Sequence, residues 1–353
     1  MTADPAPESA STHPSASRES ASRESATPSI AARLMPLVMA VRGSKRQFST
    51  ADATLRRMRQ LQLRPARFGP PRFLTGVDIE VTSILGWPVY TVTPRGGAVP
   101  RRAVYLHGGA YVFEITMQHW QLVAHLAIRT GTRFTVPIYP LAPAATASTI
   151  VPAVANLAAT LIAEVGADRV TIMGDSAGGG MALAVALQLR DRAREHSADA
   201  AQPGGAQPGG AQAGGAEAST AAAAQPRTIL ISPWLDISGT DPQLAVIAPR
   251  DPWLAVPGSH AAGAVYRGEL GEDDPMVSPI NGDLEGLGRI TMFSGTRDIL
   301  NADAARLVAR ARTEDIPLDY HEAPEMIHVW PLLPIPEART ARATIASAMV
   351  AGA

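Results

Sequence analysis

Short apolar runs rich in β-branched residues alternate with longer segments of helical spacing over most of the chain. The runs at 104–106, 134–136, 170–173, 229–231 and 290–293 are typical of strands buried on both faces, and 318–322 is the last predicted strand. Apolar residues recur at helical spacing in 122–129, 150–165, 177–194 and 302–311. Strand and helix in alternation predict an α/β fold with a mostly parallel sheet between helices. Residues 77–81 and 89–92 predict an antiparallel hairpin at one edge.

Composition supports one large domain and excludes several kinds of chemistry. The chain has 353 residues, of which 46% are hydrophobic, enough for a sizeable core. The 31 Lys and Arg nearly balance the 32 Asp and Glu, so total charge does not indicate a nucleic-acid partner. The chain has no cysteine, which excludes disulfides and thiolate-bound metals.

Two segments have a composition that does not favour folding. Residues 1–29 are rich in Ser, Ala and Pro and predict a disordered tail, and the repeated Ala-Gln-Pro-Gly-Gly within 197–225 predicts a flexible insertion. We therefore expect one domain over 30–353. The N-terminus lacks the basic start and apolar core of a signal peptide, and the apolar residues at 34–41 are too few to span a bilayer. These features predict a cytoplasmic protein with no membrane span.

A Gly-x-Ser-x-Gly motif stands between a predicted strand and a predicted helix, with Ser176 at its centre. In this setting the motif indicates a nucleophile elbow, a tight turn that pushes the serine hydroxyl out of the sheet. The glycines two residues to either side leave room for the strained backbone. Ser176 is therefore the predicted nucleophile.

A serine hydroxyl needs a base to accept its proton, and His328 is the predicted base. It follows the last predicted strand, in a loop that can reach across the strand ends. The other seven histidines lie in the tail, beside the insertion, in helical or cap segments, or inside a strand: His13, His196, His119, His125, His260 and His321, with His107 in a glycine loop.

The residue that orients the base should follow another strand end, between nucleophile and base in the chain. Asp298 meets this condition, since it comes after the strand at 290–293 and a glycine turn. Asp303 is the alternative, although it lies where the next helix has begun.

A tetrahedral intermediate also needs hydrogen-bond donors for its negative oxygen. The N–H of Ala177, directly after the nucleophile, is one predicted donor. The others are the N–H groups of Gly108 and Gly109, in a glycine loop that follows the strand at 104–106.

These motifs together resemble those of the bacterial esterases related to hormone-sensitive lipase. The elbow GDSAG at 174–178, the loop HGGA at 107–110, ISPWLD at 231–236, GTRD at 295–298 and IH at 327–328 carry the resemblance. It covers the chain from about residue 33 onward, apart from the insertion. The loop departs from the family's third glycine, since an alanine with its N–H retained stands there.

The resemblance implies an α/β-hydrolase fold with an eight-stranded, mostly parallel sheet and a helical cap built from about 33–68 and 239–283. It implies that Tyr111 and Trp253 contact substrate, that Leu254, Val265 and Tyr266 line or roof the pocket, and that His107 shapes its loop. It also implies a carboxylesterase for short-chain acyl esters, without cofactor or metal. Members of the family often form homodimers, although no interface is readable in the sequence.

Four further functions stay open on the sequence. A lactone hydrolase, a deacetylase or an amidase uses the same machinery as an esterase. A protein of this kind can also act as a small-molecule receptor that hydrolyses nothing, although the presence of His328 argues against that reading.

Overall fold

The computed structural model describes residues 22–23, 27–97, 99–201 and 224–351. Most of the predicted tail at 1–29 and of the predicted insertion at 197–225 lies outside these ranges.

A single mixed sheet forms the centre of the molecule. Its nine strands are β1 (Ser22–Arg23), β2 (Val77–Ile84), β3 (Trp87–Pro94), β4 (Arg101–Leu106), β5 (Thr132–Pro137), β6 (Val170–Asp175), β7 (Arg227–Ile231), β8 (Ile290–Gly295) and β9 (Leu318–Ala323). They lie in the order β1-β9-β8-β7-β6-β4-β5-β3-β2. Only β2 with β3 and β3 with β5 pair antiparallel. All eight predicted strands are confirmed, and β1 adds a two-residue parallel pairing at the β9 edge.

The central strands are buried on both faces, as their continuous apolar runs predict. Every residue of β6 and β8 is buried. The hairpin of β2 and β3 lies at the far edge of the sheet, and most of β2 is exposed.

Helices cover both faces of the sheet. They are α1 (Ile30–Arg42), α2 (Ala51–Leu63), α3 (Met117–Thr130), α4 (Ala147–Val165), α5 (Ala177–Ala201), α6 (Gln243–Ile247), α7 (Val256–Arg267), α8 (Asn301–Thr313) and α9 (Pro336–Val350). Buried side chains of α1, α3 and α9 belong to one core cluster, and those of α4, α5 and α8 belong to the other. The four predicted helices are confirmed and each is longer than predicted.

Helix α4 is, in the described ranges, the one helix whose length and composition would suit a membrane span. Seven of its residues are nevertheless buried, and they join the core cluster that also contains α5. The core packing of a large α/β domain accounts for this apolar helix.

The N-terminal helices contact both ends of the later chain. Ser29, the N-cap of α1, donates its N–H and its hydroxyl to Glu337 at the start of α9, at 2.6 and 3.0 Å. Helix α2 packs against α7, where the N–H of Gly258 donates to the carbonyl of Phe48 at 2.9 Å. The two segments predicted to form a cap therefore lie in contact.

Gly258 tests how tightly these two segments pack. A Cβ at this position would lie 2.4 Å from both the Cα and the carbonyl oxygen of Phe48. An alanine normally stabilises a helix by about 0.5–1 kcal/mol relative to glycine. We expect Gly258→Ala to lower the free energy of unfolding instead, by about 1–3 kcal/mol, because the added methyl group overpacks the contact.

Urea denaturation would measure this effect. Ala264→Gly, at an exposed position of the same helix, is the matched control and should cost only the helix-propensity difference of about 0.5–1 kcal/mol. A Gly258→Ala protein that is more stable than the unsubstituted chain would contradict the close packing of α2 on α7.

Candidate active site

Ser176 occupies the turn between β6 and α5 with left-handed backbone, at φ 53°. A Cβ on Gly174 would lie 2.2 Å from the carbonyl oxygen of Gly178, and one on Gly178 would lie 2.1 Å from that of Leu106. Only glycines therefore fit on either side of this turn. The N–H of Ser176 donates to the carbonyl of Ile231 at 2.9 Å, which ties the turn to the end of β7. This is the geometry of a nucleophile elbow.

The structure brings the three predicted triad residues together in one hydrogen-bonded row. His328 Nε2 lies 2.9 Å from Ser176 Oγ, and His328 Nδ1 lies 2.8 Å from Asp298 Oδ2. All three side chains are buried, and Asp298 has no exposed surface. With its proton on Nδ1, the imidazole donates to the carboxylate and accepts the hydrogen bond of the serine hydroxyl.

The pKa of His328 lies above its ordinary value. Burial acts to lower this pKa, but the negative charge of Asp298 and its hydrogen bond outweigh the burial, with smaller contributions from Asp251 and Asp175. The surroundings of the ring thus favour the imidazolium that forms when it accepts a proton.

The residue after the histidine has strained backbone. Val329 has φ 47°, which is unusual for a β-branched side chain. Its N–H donates to the hydroxyl of Ser232 at 3.1 Å, and Ser232 donates its own N–H to the carbonyl of Phe293 at 2.7 Å. These bonds hold the histidine loop against the ends of β7 and β8.

Asp251 is a site residue that sequence reasoning missed. It is almost fully buried, and its carboxylate accepts the N–H groups of Trp253, Leu254 and Ile299 at 2.7, 2.9 and 2.9 Å. Burial and the nearby charge of Asp298 raise the pKa of Asp251 to about 6. It links the segment before α7 to the residue that follows Asp298. Its one sequence signal is an Asp-Pro pair within the segment 239–283, which is predicted to form part of the cap.

The alternative acid, Asp303, makes different contacts. It lies in the first turn of α8, where it accepts a hydrogen bond from Arg306 at 3.0 Å. Burial and the nearby carboxylate of Asp236 raise the pKa of Asp303 to about 7. Asp298, not Asp303, is the carboxylate in contact with the histidine.

The glycine loop lies beside the serine, but the prediction that the N–H of Gly108 is an oxyanion donor needs correction. Its N–H already donates to Asp175 Oδ1 at 2.9 Å and is therefore not free for an oxyanion. Within the described part of the chain, the N–H groups of Gly109 and Ala110 have no acceptor. Gly109 has φ 131° and Ala110 has φ 51°, so the loop turns sharply at these two residues.

The carboxylate of Asp175, next to the nucleophile, holds this loop in place. Besides Gly108, it accepts the hydroxyl of Tyr105 at 2.6 Å and Nε2–H of His119 at 3.2 Å. His119 donates from Nε2 because its Nδ1 accepts the N–H of Thr116 at 2.8 Å. Burial acts to raise the pKa of Asp175, but these donors outweigh it and leave the pKa lowered. His119, which the sequence assigned to a helix only, is thus part of the site wall.

His107 shapes the loop, as the resemblance implies. Its ring stacks on Tyr139 at a centroid distance of 4.4 Å, and its Nδ1 lies 2.7 Å from the carbonyl of Gly108. Burial, followed by the neighbouring His119, lowers the pKa of His107 to about 4, so the ring is neutral at pH 7.

A cavity of about 600 Å³ opens above Ser176 and His328. Helices α1 and α2 contribute to its wall, together with the glycine loop, the segment before α7 and the loop before α9. Trp253 and Leu254 lie on this wall, and the Trp253 ring meets His328 edge-on at 5.7 Å between centroids.

The predicted contact of Tyr111 with substrate is wrong. This side chain is only 1% exposed and stacks on Tyr266 with ring centroids 3.5 Å apart. The Tyr111 ring also stacks against the ring of Trp234, with 5.6 Å between their centroids. Neither Tyr111, Tyr266 nor Val265 lies on the cavity wall. Tyr111 itself has left-handed backbone, at φ 62°.

Comparison with known proteins places this geometry in a family. Residues 103–332 match the family described as alpha/beta hydrolase fold. A triacylglycerol lipase of Mycobacterium tuberculosis is 31% identical over 74% of the chain, and the match spans about half (48%) of that lipase. LipR of the same organism, named as an acetyl-hydrolase, is 31% identical over 76% of the chain and 79% of its own length.

Solved structures agree with these matches. A Staphylococcus aureus protein described as an esterase superposes with TM-score 0.74, at 22% identity, over 87% of the chain and 95% of that protein. An esterase described as belonging to the bacterial hormone-sensitive lipase family has TM-score 0.64 at 26% identity, over 85% of the chain and 91% of its own. The chain therefore belongs to the α/β-hydrolase fold family, among the bacterial esterases related to hormone-sensitive lipase.

Proposed function

We propose that this protein is a serine carboxylesterase that hydrolyses short-chain acyl esters through a Ser-His-Asp triad and an acyl-enzyme intermediate. The observation that carries the proposal is the 2.9 Å contact between His328 Nε2 and Ser176 Oγ at the floor of a cavity. A base this close to a buried serine hydroxyl can accept its proton as the oxygen attacks. The ester hydrolases among the chain's relatives support the same reaction class.

In the first half-reaction, Ser176 Oγ bonds to the ester carbonyl carbon while its proton moves to His328 Nε2. The imidazolium then gives that proton to the leaving alcohol as the ester C–O bond breaks. Asp298 holds the ring in the tautomer that accepts at Nε2 and stabilises the imidazolium. In the second half-reaction, water bonds to the acyl carbon while its proton moves to His328, which then gives a proton to Ser176 Oγ as the bond from that oxygen to the acyl carbon breaks and the acid leaves.

The negative oxygen of each tetrahedral intermediate needs donors that are free before the reaction. We assign this role to the N–H groups of Gly109, Ala110 and Ala177. The first residue of a helix has no intrahelical acceptor for its N–H, which leaves the N–H of Ala177 available. The helix dipole of α5 adds to the stabilisation of negative charge at this point.

The cavity suits a small ester. Its volume of about 600 Å³ falls within the range typical of small-molecule sites. We assign Trp253 to the substrate wall, since its ring contacts the base. Helices α1, α2 and α7 then form the cap over the bound ester. A homodimer and a cytoplasmic location stay predictions.

Deacetylation is the second candidate function. Two relatives are named acetyl-hydrolases, and the same triad removes an acetyl group from an alcohol by the same steps. Lactone or amide hydrolysis would use these residues as well. A receptor without catalysis is disfavoured because His328 already lies within hydrogen-bonding distance of both Asp298 and Ser176.

Replacement of the nucleophile tests the reaction class. We expect Ser176→Ala to lower kcat for p-nitrophenyl esters by about 10⁴-fold or more, because no other oxygen can form the acyl-enzyme. Hydrolysis of p-nitrophenyl acetate, butyrate, octanoate and palmitate should be measured for both proteins, with the highest kcat/KM expected on the short chains.

Ser238→Ala is the matched control, because this partly exposed serine bonds Thr240 and lies away from the cavity wall. A Ser176→Ala protein with more than about a tenth of the original activity would contradict the assignment.

The raised pKa of His328 sets the pH dependence. His328 must be neutral to accept a proton, so activity should rise with pH as the imidazolium deprotonates. Because its pKa is raised, the acidic limb of the kcat/KM profile should have its midpoint above 6.5. Asp298→Asn should lower kcat by about 10⁴-fold and move that midpoint to lower pH, since it removes the charge that raises the pKa.

Asp303→Asn separates the two candidate acids. Since Asp303 has a pKa of about 7 and does not contact the histidine, this variant should keep both the kcat and the midpoint. A shift of the acidic limb in Asp303→Asn, with none in Asp298→Asn, would reverse the assignment.

A further inference from the structure

The charges of this near-neutral chain are unevenly distributed. Residues 30–75, here called the basic segment, hold ten of the 31 Lys and Arg but only one of the 32 Asp and Glu. This segment contains α1 and α2, the helices that contribute to the wall of the cavity. A local excess of nine positive charges creates a positive potential on this side of the molecule.

Most of these positive charges have no carboxylate partner in the part of the chain that the structure describes. Arg56 pairs with Asp52, and Lys45 donates to the carbonyls of Ala248 and Asp251. Among the described residues, no carboxylate lies within 4.0 Å of the other eight cations: Arg33, Arg42, Arg46, Arg57, Arg59, Arg64, Arg67 and Arg72. Arg42, Arg57 and Arg67 line the cavity, and the other five arginines remain available to an anionic surface.

Helix α1 carries apolar side chains on two of its sides. One face lines the cavity, with Met35, Val38 and Met39. The other face, here called the α1 stripe, points to solvent and consists of Ile30 (78% exposed), Leu34 (51%), Leu37 (62%) and Val41 (81%). Their spacing of four, three and four residues puts all four on one side of the helix.

The α1 stripe is not a loosely attached end of the chain. Ser29 caps the helix and bonds Glu337, while Ala32 and Met39 are buried against the domain. Rotation of the helix to bury the stripe would expose those residues instead. Two further apolar side chains of the basic segment are also exposed, Leu63 at 84% and Phe73 at 57%.

We propose that the α1 stripe and the unpaired arginines form a docking surface for an anionic lipid membrane, with α1 lying in the plane of the interface. Exposed aliphatic side chains flanked by cations are the combination that binds such a surface, because acyl chains accept the former and headgroups attract the latter. A second copy of the chain fits less well, since it would bring two basic segments together. A nucleic acid would leave the aliphatic stripe without a partner.

This docking would place the cavity at the membrane. The stripe and part of the cavity wall belong to one helix, which is about 10 Å across. An ester that leaves the bilayer would therefore have a short path to Ser176. That consequence rests on the proposed esterase function, whereas the docking itself does not.

Vesicle binding tests the docking surface separately from hydrolysis. The full-length protein is sedimented with vesicles of ether-linked phosphatidylcholine, which contain no ester to cleave, with or without about 30 mol% ether-linked phosphatidylglycerol. We expect binding at least tenfold tighter to the anionic vesicles, and weaker binding as NaCl is raised from about 0.1 to about 0.5 M.

Two variants separate the apolar and the charged contributions. Leu37→Glu/Val41→Glu should weaken binding to anionic vesicles more than tenfold, and Arg33→Gln/Arg46→Gln/Arg59→Gln should do so as well, at about fivefold for each arginine. None of these five residues lies on the cavity wall, so hydrolysis of p-nitrophenyl acetate in solution should not change. Val81→Glu/Val246→Glu is the matched control, with exposed valines outside the basic segment at 57% and 65%.

Several outcomes would overturn the proposal. One is equal binding of the stripe variant and the unsubstituted protein to anionic vesicles. Another is an equal loss of binding in the control variant, which would point to added negative charge alone. A third is a dimer that dissociates in the stripe variant while neither protein binds vesicles, because the stripe would then be a contact between copies.

Discussion

The left-handed backbone of Ser176 is the constraint on which the site depends. A non-glycine residue at φ 53° costs on the order of 1–3 kcal/mol and persists only when its surroundings leave no alternative. Here those surroundings are backbone atoms of neighbouring strands and loops. The Ser176 N–H bonds Ile231, its carbonyl accepts the N–H of Trp234 at 2.9 Å, and the glycines of the elbow lie too close to Leu106 and to each other for any side chain. The core of the sheet therefore determines where the nucleophile points.

Buried carboxylates then organise the loops around that turn. Asp175 accepts hydrogen bonds from β4, the glycine loop and α3. Asp251 accepts hydrogen bonds from N–H groups of the segment before α7 and of the chain after β8. Each charge is tolerated in the core because several donors satisfy it. Asp298 differs, since its Oδ1 accepts the N–H of Leu300 at 2.9 Å while its Oδ2 contacts the histidine. Two carboxylates thus hold loops, and the third holds His328.

The sequence predicts those parts of the site that depend on local order along the chain. Ser176, Asp298 and His328 could be found because each follows a recognisable strand, and parallel strands end at one edge of the sheet. Gly108 and Tyr111 were predicted wrongly because their roles depend on partners far away in sequence. Gly108 faces a carboxylate 67 residues away, and Tyr111 stacks on a ring in α7. The hydrophobic periodicity of the sequence does not predict such long-range contacts.

The same limit applies to charge and to apolar faces. A balanced total charge indicates no polyanionic partner, yet the total conceals a segment with ten cations and one carboxylate. Helix α1 packs on the domain through its two buried residues, Ala32 and Met39. Only one side of this helix packs against the domain, and part of that side lines the cavity. The other face stays in water beside arginines that no described carboxylate pairs, a costly arrangement for a surface helix unless something apolar and anionic covers it.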